Sequence, residues 1–286
     1  MHWVSIVGCG YTGSRLAARW RDLQRRVRGF GTREAGLREI AATGAEACRL
    51  NLDLPQAVPL DVDGQLIYYS VPPAPAGERD ERLERLLDSL RGLPNRIVYL
   101  STTGVYGDRG GGAVDEDSPP APQSARAVRR LAAENALRAW ADSRGVSWCI
   151  LRVPGIYGPG RLPVERLRRR EPAIDPLEAT PSNRIHVDDL VTACVAAGVS
   201  SRAGGRLYNV TDGSEDSATA YLQRVARIGG LPLPPLVSRT EAEKTFPATS
   251  WSFLRESRRV DNRRMLNELG IALAYHDLDA GIRASL

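Results

Sequence analysis

Apolar residues arrive in short, nearly unbroken runs, separated by stretches whose apolar positions recur at helical spacing. Trp3-Val4-Ser5-Ile6-Val7 reads as a strand, and it runs through Gly8-Cys9-Gly10-Tyr11-Thr12-Gly13 into a helix opening Ser14-Arg15-Leu16-Ala17-Ala18-Arg19-Trp20. Further strands are predicted at 26–31, 47–52, 65–71, 96–101 and 146–151, with a short helix at 37–42. Residues 81–91 carry Leu83, Leu86, Leu87 and Leu90 at helical period, and an alanine-rich helix at about 127–141 carries Val128, Leu131, Ala132, Ala136, Ala139 and Trp140. Pro72-Pro73 stops the fourth strand, while Gly110-Gly111-Gly112 and Ser118-Pro119-Pro120 mark a loop.

Strands that alternate with helices and are apolar on both faces imply a parallel sheet covered on both sides. The fold class predicted is therefore α/β, a doubly wound, Rossmann-like parallel sheet. Beyond Pro159 the pattern breaks into proline-interrupted pieces. Residues 1–158 with 185–212 are assigned to the core, and residues 159–184 with 213–286 to a smaller C-terminal substrate lobe.

Composition changes this picture in one respect. Lys244 is the only lysine among 39 basic residues, so the rest are arginines, which hold anions but stay protonated and do not act as Schiff-base or general-base groups. Net charge is +5, yet basic and acidic residues interleave, as in Glu78-Arg79-Asp80-Glu81-Arg82, which reads as a solvated helix face. The clusters Arg166, Arg168-Arg169-Arg170 and Arg258-Arg259 lie in no recognisable nucleic-acid module, so no nucleic-acid partner is expected. No apolar run reaches membrane-spanning length and no basic leader precedes the first strand, so no membrane association and a cytoplasmic location are the expectation. Cys9, Cys48, Cys149 and Cys194 are scattered without a C-x-x-C pair, which points to buried or free thiols; three dispersed histidines, His186 among them, supply no metal-ligand spacing.

The glycine segment carries the most specific chemistry. A diphosphate needs several backbone N–H donors at once, and a glycine turn feeding a helix N-terminus supplies them with a favourable dipole. Gly8 makes the turn, Gly10 lets the diphosphate approach the backbone, and Gly13 lets helix and strand pack closely. Tyr11 and Thr12 lie between them. An arginine about 20 residues beyond such a loop accommodates a ribose 2′-phosphate, whereas an acid there selects the free 2′-hydroxyl. Gly31-Thr32-Arg33 therefore favours NADP, with NAD as second choice because Glu34 follows.

Several segments in order resemble one superfamily: the glycine loop, Ser101-Thr102-Thr103-Gly104-Val105-Tyr106-Gly107-Asp108, Leu151-Arg152-Val153-Pro154-Gly155-Ile156-Tyr157-Gly158-Pro159-Gly160, Arg184-Ile185-His186-Val187-Asp188-Asp189-Leu190 and Tyr208-Asn209-Val210-Thr211-Asp212. Together they resemble the NAD-dependent epimerase/dehydratase branch of the short-chain dehydrogenase/reductase superfamily, of the extended or atypical kind. Ser257-Arg258-Arg259-Val260-Asp261-Asn262 is similar to the closing segment of atypical members. The resemblance implies a nicotinamide cofactor in the core, a small and often sugar-like substrate in the lobe, and a possible homodimer. It places Val71, Pro72, Ser101 and Pro154 on the cofactor side, with Asp53 at the adenine end. For Asp53 a plain turn role is the alternative.

The departure lies where the chemistry belongs. Relatives carry Tyr-x-x-x-Lys just ahead of a Leu-Ala-Ala-Glu-like run, and the register of Leu131-Ala132-Ala133-Glu134 puts Arg126 at the tyrosine and Arg130 at the lysine. In relatives the ammonium lowers the phenol pKa so that tyrosine exchanges a proton with substrate. Arg130 retains the positive field and a ribose hydrogen bond; Arg126 does not replace the phenol. Thr102 keeps the position that hydrogen-bonds the reacting oxygen, with turn capping as its alternative. Tyr106 and Tyr157 are candidate substitute proton donors, with packing as the alternative. Asp108 and Glu116 are candidate carboxylate bases, with plain solvation of loop carboxylates as the alternative.

Arg126 and Arg130 stand four residues apart and share a helix face, so they form a candidate anion clamp for a carboxylate or phosphate. The alternative leaves both in solvent, with Arg130 paired to Glu134. Arg161 and Arg166 are further candidates for reaching substrate from the lobe, with a place on a surface helix as the alternative. Two functional readings stay open: an NADP-dependent oxidoreductase or epimerase-like enzyme, and a dinucleotide-binding sensor without turnover.

Overall fold

In the computed structural model, which describes residues 3–54 and 59–286, the apolar runs align as a seven-stranded sheet. Its strands are β1 (Val4–Val7), β2 (Val27–Gly31), β3 (Glu46–Arg49), β4 (Leu66–Tyr69), β5 (Arg96–Thr102), β6 (Ser147–Val153) and β7 (Arg206–Asn209). Across the sheet they run β7-β6-β5-β4-β1-β2-β3, every neighbouring pair parallel. The order reverses between β1 and β4, the place where a doubly wound sheet opens a crevice at its carboxyl edge.

Five helices cover the faces: α1 (Tyr11–Asp22), α2 (Glu34–Ala42), α3 (Glu81–Ser89), α4 (Ala125–Asp142) and α5 (Val187–Val199). Strand alternation decides what each meets. Tyr68 turns to the cluster holding Leu16, Trp20, Val191 and Cys194, where its hydroxyl donates to the Cys194 carbonyl at 3.0 Å. Tyr69 turns the other way, among Leu83, Leu86, Tyr99 and Leu137. A smaller cluster of Tyr157, Leu167, Leu222, Val225, Leu278 and Ile282 joins the helices Val164–Arg168, Ala218–Ile228 and Leu278–Arg283. No helix among the described residues is long and apolar enough to cross a membrane. The four cysteines are free, and Cys9, Cys149 and Cys194 are buried.

Boundaries shift by a few residues from expectation: α2 begins at Glu34 rather than 37, and β3 ends at Arg49, leaving Leu50 and Leu52 buried beyond the strand. A larger correction concerns α4. The predicted apolar face contained Val128, which is exposed, whereas the buried positions are Ala127, Arg129, Ala133, Glu134, Leu137 and Ala141. The helix is turned because small alanines let it approach the sheet and because Glu134 reaches inward. Its Oε1 accepts from the Ser101 hydroxyl at 2.5 Å and from Arg152 Nε at 3.1 Å, while Oε2 accepts from Arg152 Nη2 at 2.8 Å. Glu134 is fully buried and Arg152 nearly so.

Removing one partner of a buried ion pair leaves the other charge uncompensated, at a cost of about 3–5 kcal/mol. Glu134→Ala is therefore expected to lose stability of that order in urea unfolding. Glu134→Gln, which keeps an acceptor for Ser101 and Arg152, is expected to lose clearly less. Equal, sub-kcal/mol losses in both variants would contradict this account of α4.

Candidate functional site

A cleft of about 740 Å³ opens at the carboxyl edge of the sheet, over the reversal between β1 and β4, and is lined by the segments that follow β1 to β6. The glycine turn forms its floor. Gly8 has φ +89°, and an added Cβ would lie 2.8 Å from the Val71 amide nitrogen, so chain direction and the neighbouring strand end both demand glycine. At Gly13 a Cβ would come within 3.0 Å of the Gly8 carbonyl, which is the close packing of helix on strand. Gly10 differs: a Cβ there meets nothing within 4 Å, and the residue is exposed. The first internal bond of α1 runs from the Ser14 N–H to the Gly10 carbonyl at 2.8 Å. The N–H groups of Tyr11, Thr12 and Gly13 precede it and lie at the positive end of the helix dipole.

Beyond the tip of β2, Thr32 and Arg33 line the cleft. Glu34 turns away and pairs with Arg49 at 2.7 Å, and Arg49 also donates to the Thr32 carbonyl at 2.8 Å. The exposed Arg33 guanidinium therefore sets the charge at this corner. Asp53 lines the same end and accepts a fork from Arg82, Nε to Oδ1 at 2.6 Å and Nη2 to Oδ2 at 2.8 Å, which lowers its carboxyl pKa. Arg82 also donates to the Pro72 carbonyl at 2.9 Å. The interleaved run 78–82 is thus not simply a solvated face: Arg82 belongs to the cleft, and the buried Asp80 caps α3 by accepting from the Leu83 N–H. The run placed these residues on a helix but carried no signal of their tertiary partners.

At the other end lie Thr102, Pro154, Ile156, Arg126 and Arg130. Thr102 Oγ1 accepts from the Gly104 N–H at 3.1 Å, so it caps the turn and also faces the cleft. The Ser101 residue lines the cleft, but its hydroxyl is committed to Glu134. Arg130 is neither solvent-directed nor paired to Glu134. Its Nη1 reaches the carbonyls of Val71 at 3.2 Å and Leu100 at 3.1 Å and the Tyr99 hydroxyl at 3.1 Å, so it joins the ends of β4 and β5. Arg126 makes no side-chain hydrogen bond to the described residues and stacks on Phe253 at 4.0 Å; partial burial lowers its pKa. Arg161 lines the cleft as expected and stacks on Tyr11 at 4.1 Å, while the Tyr11 hydroxyl donates to the Pro159 carbonyl at 3.1 Å.

Three expected site residues lie off the cleft. Tyr106 is fully buried, donates to Asn209 Oδ1 at 2.7 Å and is covered by Arg152 at 4.7 Å; burial raises its pKa. Tyr157 is buried edge-on to His186 and Tyr221, with its hydroxyl pressed toward Gly281, and burial raises its pKa too. Arg166 folds back on its own loop, donating to the Pro172 carbonyl at 2.9 Å. Neither carboxylate candidate reaches the cleft: Asp108 accepts from the Ser257 N–H at 2.8 Å, and Glu116 from the Asn209 N–H at 2.8 Å. His186 is a helix cap, its Nδ1 accepting from the Asp188 N–H at 3.2 Å. Among the described residues no group of three His, Cys, Asp or Glu is placed to hold a metal. Cys9 lies under the glycine turn, where burial pushes its thiol up to about 11.

A parallel sheet that reverses over a glycine cradle defines a class, and the comparisons with known proteins agree with it. Residues 82–211 match the family described as NAD dependent epimerase/dehydratase. The chain is similar to a solved protein of unknown function from Silicibacter pomeroyi, 30% identical, with TM-score 0.80 over 99% of this chain and 98% of that one. Protein YeeZ of Escherichia coli (strain K12) is 28% identical over 287 residues, with 96% of each chain covered. UDP-glucuronic acid 4-epimerase from Bacillus cereus shares the fold, with TM-score 0.75 over 99% of this chain and 97% of that one at 17% identity.

The three glycines make separable demands. Gly8→Ala forces an L-residue to φ +89° against the Val71 backbone and is expected to cost roughly 2 kcal/mol or more in chemical denaturation. Gly10→Ala is expected to stay within about 0.5 kcal/mol of wild type, as at an open surface position. A large loss at Gly10 would mean that its open side is structural.

Proposed function

We propose that the cleft binds a nicotinamide dinucleotide, NADP in preference to NAD, and that the chain is an oxidoreductase or epimerase/dehydratase-like enzyme acting on a small polar or sugar-derived substrate. The observation that carries this reading is Gly10, open to the cleft beside N–H groups at the start of α1 that donate to no described residue, between two glycines that packing requires. That is the donor set a diphosphate needs, and it leaves room for one. The Bacillus cereus epimerase that shares the fold was solved with UDP-glucuronic acid and NAD. Residues 1–158 with 185–212 form the nucleotide half in this reading, and 159–184 with 213–286 the substrate half.

Each end of the cleft has its own task. Arg33, with Glu34 neutralised by Arg49, offers its fork to a 2′-phosphate. Asp53, held by Arg82, faces the adenosine end. When bound, the dinucleotide supplies hydride donor or acceptor chemistry. Thr102 already accepts from Gly104, so its own hydroxyl proton is available to a ligand oxygen. Arg130 keeps a fixed positive charge at the junction of β4 and β5 without exchanging protons.

One observation favours the second reading, a dinucleotide-binding sensor. The described cleft residues include no histidine, lysine or glutamate, and the two substitute tyrosines face elsewhere. The chain's single lysine, Lys244, follows Thr240 by four positions, so no Tyr-x-x-x-Lys occurs anywhere in it.

Calorimetric titration of NADPH and NADH tests the binding claim. NADPH is expected to bind more tightly, and Arg33→Ser to weaken NADPH by about 10- to 100-fold while leaving NADH nearly unchanged, the loss of one or two charge-assisted hydrogen bonds. Failure of both nucleotides to bind overturns the reading. Oxidation of bound NADPH by a carbonyl panel supports the enzyme; tight binding without turnover across that panel supports the sensor.

A further inference from the structure

The substrate end of the cleft holds a cation, Arg126, that forms no ion pair with any described residue. Arg126 leaves the first turn of α4, where the helix dipole adds to its field, and it lines the cleft together with Thr102 and Pro154. Its neighbours are engaged elsewhere: Arg129 is buried and donates to the Gly77 carbonyl at 2.9 Å, and Arg130 is tied to two strand ends. Glu256, the carboxylate that acts on it, is paired with Arg258 at 3.0 Å.

What does hold Arg126 is a ring. Its guanidinium lies 4.0 Å from the centroid of Phe253, which projects from the short helix Ala248–Leu254. Phe253 is 61% exposed, and that helix has no buried residue, so the ring meets the cleft-lining Arg126 at the surface rather than in a core. Stacking occupies the face of the guanidinium and leaves its edge N–H donors free. A planar fork, fixed in orientation and lacking an acceptor, is the geometry that carboxylate and phosphate groups fill.

We propose that Arg126 is the receptor for an anionic group on the substrate, a carboxylate or a phosphate, and that Phe253 is a positioning residue that orients its fork from the helix Ala248–Leu254, outside the cleft lining. This rests on the nucleotide reading for which end of the cleft is the substrate end. It replaces the two-arginine clamp with a single free guanidinium, because Arg130 is held by the strand ends.

The test is calorimetric binding of three probes, malonate, inorganic phosphate and the neutral malonamide, to the full chain with and without saturating NADPH. Wild type is expected to bind malonate or phosphate, more weakly at higher salt, and not malonamide; the stronger of the two anions tells carboxylate from phosphate. Arg126→Gln is expected to weaken that anion by about 10-fold or more, as for loss of a charge-assisted fork, with NADPH affinity unchanged. Phe253→Ala is expected to weaken it by about 3-fold, Phe253→Trp to restore it, and neither to lower the melting temperature. Malonamide binding as well as malonate, anion affinity unaltered by Arg126→Gln, or no anion binding by wild type would each overturn the proposal. Failure of NADPH alone would remove the nucleotide reading and leave the anion measurement on the free protein intact.

Discussion

The Glu134 carboxylate, enclosed between α4 and the ends of β5 and β6, fixes the geometry on which the cleft depends. It accepts from Ser101 on one strand and from Arg152 on the next, so one helix is pinned to two strand ends at a single buried point. Helix rotation is then set, and with it the direction in which residues one and two turns earlier emerge. Arg130 meets the carbonyls of Val71 and Leu100, and Arg126 reaches the cleft mouth, because both share the α4 face that Glu134 orients. A buried ion pair adds little net stability over an apolar pair of similar size. What it does here is orient: without it, an alanine-rich surface offers few shape constraints on helix rotation.

The same residue shows where sequence patterning stops being informative. The sheet was legible because each strand is an apolar run bounded by turn residues, and the glycine loop because its chemistry depends on backbone geometry that few residues permit. The face of α4 was not. Alanine is compatible with either face, the bulkier Val128 pointed to the exposed one, and the inward residue is a glutamate that hydropathy assigns to solvent. Arg82 was hidden in the same way, since its alternation with acids reports local charge spacing and not Asp53, which lies 29 positions away in the chain. Tyr106 and Tyr157 lie in segments that match the family, but strand and loop direction turn their hydroxyls toward Asn209 and Gly281.

Arginine in place of lysine gives the cleft an unusual electrostatic character. Its cations keep their charge across the physiological range, and the described cleft residues able to exchange protons are constrained: burial raises Cys9, Tyr11 is raised by burial and donates to Pro159, and Asp53 is held down by Arg82. Affinity for an anion in such a site varies with salt far more than with pH. In the proposed enzyme reading, the proton that accompanies a hydride step would pass through the Thr102 hydroxyl or water, since the hydroxyls of Tyr106 and Tyr157 face away from the cleft.

That division of labour also explains why aromatic rings accompany the free cations. A lone guanidinium at a cleft mouth is flexible, and binding a ligand would require ordering it. The Phe253 ring lies against Arg126 and the Tyr11 ring against Arg161, each about 4 Å from the guanidinium carbon, a contact that uses none of the N–H donors. A carboxylate partner in either place would orient the arginine equally well, but it would also occupy the donors that a ligand needs. Stacking fixes the plane and leaves the charge available, which is the arrangement expected of a site that recognises anions without titrating.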